Sequence, residues 1–219
     1  MKGLRVGIPQ DVFYENLDPE VESAMRDCAA VFKDLGAHVT SIAYPEAKIA
    51  QAIRSSISSV EACVIHAERL KTMVDDMDPI VGPRMLLEMQ RPATEHAAAL
   101  RQMHALRKSQ AAESLRDTDI LLTPTVPMPA RPVAEFEQSL DSYLALSKRY
   151  SDNTATGNVL GLCGLSVPCG ISEKGLPIGL MIYAKPISED VALRAGHAYE
   201  QATEWRLRRP DLGWTSTRP

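Results

Sequence analysis

Two apolar runs on either side of a short polar break, within residues 154–183, constrain this chain more than any other feature. Leu165-Ser166-Val167-Pro168-Cys169 reads as a short buried strand, and Pro177-Ile178-Gly179-Leu180-Met181-Ile182-Tyr183 as a second, ending in strong β-formers. Glu173-Lys174-Gly175 between them is a polar turn, with Gly175 free to take positive φ. A hairpin inside a larger sheet is therefore expected. Ahead of it, Gly157, Gly161 and Gly164 let backbone come close to a neighbouring element or to a ligand. By itself the local sequence reads as a helix end packed on a sheet. Ser166 is expected to be packed within its strand. Cys169 is expected in a Gly-rich turn, where it could be a reactive thiolate only beside a base or a helix N-terminus.

The start of the chain supplies parallel strands. Leu4-Arg5-Val6-Gly7-Ile8-Pro9 is a strand ended by proline. Asp18-Pro19-Glu20 opens a helix with an N-cap, a proline at the first helical position and an acid at the positive end of the dipole. Val21, Met25, Cys28, Val31, Phe32 and Leu35 give it one apolar face, and Gly36 closes it. His38-Val39-Thr40-Ser41-Ile42 is a second strand, so this strand–helix–strand unit predicts parallel pairing.

The middle is helical. One long helix is expected from Ala47 to about Met73, with Ile49, Ile53, Val60, Val64 and Ile65 among its apolar positions. A short helix follows over Val81 to Gln90, and a longer one from Arg91-Pro92 to about Arg116. Asp75, Asp76 and Asp78 lack the spacing of a calcium loop and read as a solvated cap. Asp119-Ile120-Leu121-Leu122-Thr123-Pro124-Thr125 is a buried strand stopped by proline, and it sets hydroxyls at a strand's C-terminal end, where ligands sit in open α/β sheets. Glu135 to Tyr150 is a weakly patterned helix, and a closing helix begins at Ser188-Glu189-Asp190, with Val191, Leu193, Ala195, Ala198 and Tyr199 as its apolar contacts.

Bulk properties exclude several classes. The chain has 219 residues, a net charge of −4 and 5% aromatics, with no basic block interleaved with aromatics, so nucleic acid is not an expected partner. No run of apolar residues is long enough to span a membrane, and no signal-peptide pattern opens the chain, so the cytoplasm is expected. Four cysteines without a C-x-x-C pair argue against a disulfide framework, and Cys28 and Cys63 are expected as small core residues. There is no G-x-S-x-G, H-E-x-x-H, P-loop or dinucleotide fingerprint. No metal or cofactor is expected.

Several segments, taken in order, resemble the C-terminal half of the amidase-signature hydrolases. They are Leu4 to Pro9, Asp119 to Thr125, Thr154-Ala155-x-x-Asn158-x-x-Gly161, Leu165 to Gly170, Gly175 to Leu180, and a closing helix with Glu189, Leu193, Ala198, Tyr199 and Glu200. The resemblance implies an α/β fold, a mixed β-sheet covered by helices, over residues 1–204, with 205–219 a peripheral tail. It implies hydrolysis of carboxamides by a Ser–cis-Ser–Lys triad with a backbone oxyanion site. Those groups lie in the family's N-terminal half, and none can be placed on this chain. What it does imply here is a substrate-pocket wall carrying Thr125, Thr154 and Asn158. Thr156 and Gly157 stand where many members have proline and an aromatic, and Cys163 where proline is usual. Glutamine-using members, the amidase-type subunits of the tRNA-dependent amidotransferases, carry an aspartate where this chain has Ser151, with Asp152 one place off. A general amidase for a small-molecule amide is thus expected, inactive until complemented. The rival expectations are a non-catalytic module pairing with a separate N-terminal half or with itself, and a fragment without a function of its own.

Overall fold

The structure is a computed structural model that describes residues 1–210. Five strands form one mixed sheet in the order β2-β1-β3-β5-β4. β1 (Arg5–Pro9), α1 (Pro19–Asp34) and β2 (His38–Ile42) form the expected parallel unit, with Arg5 opposite His38. Asp18 caps α1 by accepting from the Glu20 N–H at 2.9 Å, and Gly36 turns the chain at φ +86°. β3 (Ile120–Pro124) lies parallel to β1. Arg5 Nη2 donates to Asp119 at 2.6 Å, which ties the starts of these strands together and holds that carboxyl below its ordinary range.

α2 (Pro45–Ile65), α3 (Ala67–Thr72), α4 (Val81–Glu88) and α5 (Ala93–Ala112) fill the span between β2 and β3. The single long helix expected there is broken at His66. Its buried positions are mostly the small ones, Ala47, Ala50 and Cys63 beside Ile57, while Val64 and Ile65 face outward, so the large residues marked the wrong face. Asp78 caps the start of α4 through the Ile80 and Val81 N–H groups.

After β3 come α6 (Val133–Phe136), α7 (Leu140–Leu160), β4 (Cys163–Ile171), β5 (Pro177–Ala184) and α8 (Glu189–Ala202). β4 and β5 form the expected antiparallel hairpin, closed by Gly175 at φ +77°. α7 does not stop near Tyr150. It runs through Gly157 to Leu160 and ends at Gly161, so the Gly-rich approach is the end of a helix rather than a loop. α8 differs from expectation in rotation. Ala192, Ala195, Gly196 and Tyr199 face the sheet and Leu193 faces out. The reason is steric: a Cβ at Gly196 would lie 2.4 Å from Leu165 Cδ2, so α8 rests on the sheet through its smallest residues.

Helices cover both faces. α1 and α8 pack on one, over Val6, Ile120, Leu122, Leu180 and Ile182. Residues of α2, α5 and α7 pack on the other, over Leu121, Met181 and Tyr183. Trp205 packs against the first of these clusters. Residues 211–219, most of the expected tail, lie outside the described residues. No described helix is long and apolar enough to cross a membrane.

Candidate functional site

Polar groups gather on the α2–α5–α7 face, where β3 ends. Side chains alternate along a strand, so Leu121 and Thr123 share that face while Ile120 and Leu122 take the other. Thr123 is fully buried, and its Oγ1 has no hydrogen-bond partner among the described residues. Thr125 continues the row. Its N–H donates to Gly179 O at 2.9 Å, and its hydroxyl lies 2.7 Å from Ser166 Oγ. β5 runs between the strands these hydroxyls come from, so they meet across it. They can do so because residue 179 is glycine: a Cβ there would lie 2.8 Å from Thr125 Oγ1 and 3.1 Å from Ser166 Oγ.

Ser166 is thus not packed inside its strand. It is exposed, because Val167 and Cys169 take the buried face of β4 and leave Ser166 and Pro168 on the other. Cys169 is likewise not in a turn. It sits in β4, buried beside Cys28, whose thiol contacts the Tyr199 hydroxyl at 3.3 Å. The neighbouring Cys28 thiol and burial push the Cys169 thiol well above its ordinary range, so it is no thiolate nucleophile. Cys63 is buried as expected.

α7 is fastened to the same end of the sheet by Asn153. Its Nδ2 donates to Pro124 O at 2.8 Å, and its own carbonyl accepts from the Tyr183 hydroxyl at 3.1 Å. Burial holds that hydroxyl protonated by raising its pKa, as the bond requires. Gly157 is the matching contact one turn on: a Cβ there would lie 2.4 Å from the Tyr183 ring. Asp152 pairs with Arg54 and Lys148, both at 2.9 Å, and Arg54 also donates to Ser151 Oγ at 2.9 Å. That acid is committed to ion pairs between and along helices.

The expected wall residues stand as follows. Thr125 is partly exposed and bonded to Ser166. Thr154 is partly buried, with its hydroxyl turned back to Ser151 O at 3.3 Å. Asn158 is exposed in the last turn of α7, where its carbonyl accepts from Arg107 Nη2 at 3.1 Å, and it lines a groove of about 590 Å³ between the start of β4 and α8. No hydrogen bond among the described residues joins any two of the three. What connects Thr125 to α7 is Asn153, hidden from the sequence because the helix appeared to end before it. Gly179 and Ser166 were also missed, although strict alternation along 165–169 marks Ser166 as opposite in face to Val167.

This arrangement, two hydroxyls meeting just past the C-terminal end of β3 with a helix fastened beside them, was compared with known proteins. The family model described as Amidase matches residues 1–193. The chain belongs to the amidase family. Among curated amidase-family relatives, an amidase of Pseudomonas putida is 37% identical over 216 residues, covering 97% of this chain and 46% of its own length. A glutamyl-tRNA(Gln) amidotransferase subunit of Geobacter sp. (strain M21) is 30% identical over 236 residues, covering 97% of this chain and 48% of its own. Among solved structures, 6-aminohexanoate cyclic dimer hydrolase complexed with substrate aligns with a TM-score of 0.79 at 25% identity, over 96% of this chain and 47% of that one. A chain from a vestigial protein complex bearing on the origins of an s-triazine catabolic enzyme gives 0.81 at 25% identity, over 94% and 45%. This amidase chain therefore spans under half the length of the relatives it matches, and the part matched is their C-terminal half.

Proposed function

We propose that this chain forms one wall of an amide-hydrolysing cleft, whose nucleophile, base and oxyanion site are carried by polypeptide outside these 219 residues. The observation that carries the reading is the Thr125–Ser166 hydroxyl pair, open to solvent at the ligand edge of the sheet in a chain of the amidase family. Thr125 and Ser166 form the floor, and the end of α7 bearing Thr154 and Asn158 forms the side. Hydroxyls suit a carboxamide, since each can donate to its oxygen or accept from its nitrogen. A wall of this kind positions substrate and supplies no bond-breaking group, so it contributes to binding and orientation. Ser151, which stands where glutamine-using relatives carry an acid, and Asp152, bound to Arg54, favour a general amide over glutamine.

The test is ammonia release from simple amides. The chain alone is expected to show none, because loss of nucleophile, base and oxyanion site together removes nearly all rate enhancement. Fusion behind the N-terminal remainder of the Pseudomonas putida amidase is expected to restore it. In that fusion, Ser166→Ala and Thr125→Val should raise KM several-fold with little change in kcat. Turnover by the unaided chain would overturn the reading.

A further inference from the structure

The sheet has two edge strands, and they differ. β2 is five residues long, with His38, Thr40 and Ser41 facing out. β4 is nine residues long and, among the described residues, pairs with β5 alone. Its second half carries protection against further pairing, since Pro168 offers no N–H and a bulge falls between Pro168 and Gly170. Its first half, Cys163 to Val167, has neither device. Beside that first half runs the groove of about 590 Å³ toward α8, lined by Gly164, Leu165, Ile187 and Leu193, with Glu189 its one charged side chain.

Ile187 is the anomaly in this groove. It is 91% exposed and sits at φ +59°, a left-handed conformation that a β-branched residue adopts at a cost of order 1–3 kcal/mol. Leu193 is 59% exposed one turn into α8. An unpaired strand edge, an apolar groove and a strained, outward isoleucine therefore coincide on one side of the molecule.

We propose that Cys163–Val167, with Ile187 and Leu193, is the seam on which the N-terminal half of an amidase domain docks, adding a strand to the sheet beyond β4 and burying both side chains. This rests on the reading that the catalytic groups lie outside this chain. The occupant follows from length: relatives matching 97% of this chain are matched over only 46–48% of their own, which leaves a segment of similar size to cover a surface of this kind. The Thr125–Ser166 pair reaches the surface on this same strand, so a partner there also closes the cleft.

The experiment uses this chain and its fusion behind the Pseudomonas putida remainder, with amide hydrogen exchange and amide turnover as readouts. The outward amides of Cys163–Val167 should exchange freely in the chain alone and slow at least 100-fold in the fusion, while those of β2 stay unchanged. With the remainder supplied as a separate chain, Ile187→Asp and Leu193→Asp should weaken association at least 10-fold. Ile187→Asn, which tolerates positive φ, should leave the melting temperature of the chain alone level or higher while still weakening association. An active fusion with no protection along β4, or with protection instead at β2 or around Val64 and Leu87, overturns the seam and leaves the functional reading standing. A fusion that is protected along β4 but hydrolyses no amide keeps the seam and overturns that reading, and a fusion showing neither overturns both.

Discussion

The two faces of the sheet are built from different materials. Under α1 and α8 the contacts are almost wholly apolar, with Phe32 stacked on Tyr199 at 5.7 Å and aliphatic residues filling the rest. Under α2, α5 and α7, polar groups are threaded through the packing: Tyr44 donates to Gln110, Gln110 to Leu160 O, Tyr183 to Asn153 O, and Thr123 has no partner among the described residues. Apolar burial is non-directional and tolerant, whereas each buried polar group must be matched or it costs about 1–3 kcal/mol. The first face accordingly accounts for stability. The second fixes where α7 and the hydroxyl row stand, which is what a binding wall needs.

Substitutions can break or sharpen this contrast. Phe32→Ala, on the apolar face, should cost about 3–5 kcal/mol and lower the melting temperature by roughly 10 °C, with no change in the KM of the active fusion. Gly157→Ala should cost about 1–3 kcal/mol, because the Tyr183 ring it would strike is itself buried; chemical denaturation would read this as a shifted midpoint at constant slope. Asn153→Ala strands the Pro124 carbonyl and should also cost about 1–3 kcal/mol, with a raised KM that Phe32→Ala does not share. Thr123→Val should be neutral or stabilise by up to about 1 kcal/mol, since it deletes a buried hydroxyl that nothing satisfies among the described residues. Marked loss of stability there would erase the proposed difference between the faces.

The parts legible in the sequence were those governed by local rules. Asp18-Pro19 and Gly36 bounded α1, and Gly175 closed the hairpin, because caps and tight turns require particular residues at particular backbone angles. The order of segments was enough to place the chain in its family. What escaped was decided by distant contacts. α7 passes through Gly157 because Tyr183, far along the chain, occupies the space a side chain would need. The rotation of α8 was hidden for the same reason, since Leu165 fits against Gly196 and turns Leu193 outward. In α2 the alanines rather than the isoleucines and valines marked most of the buried face, so hydrophobic size alone misled. For the candidate site, Thr125 could be named from its place at a strand end. Its partner could not, because Ser166 meets it only across a third strand.

That meeting has an evolutionary corollary. The hydroxyl bond over β5 exists only while residue 179 lacks a side chain, so substitutions here cannot accumulate in any order. A lineage acquiring even a methyl group at 179 would first have to give up Thr125 or Ser166, and one that had already lost a hydroxyl could accept it freely. Three positions scattered along the chain are thereby bound to a shared history.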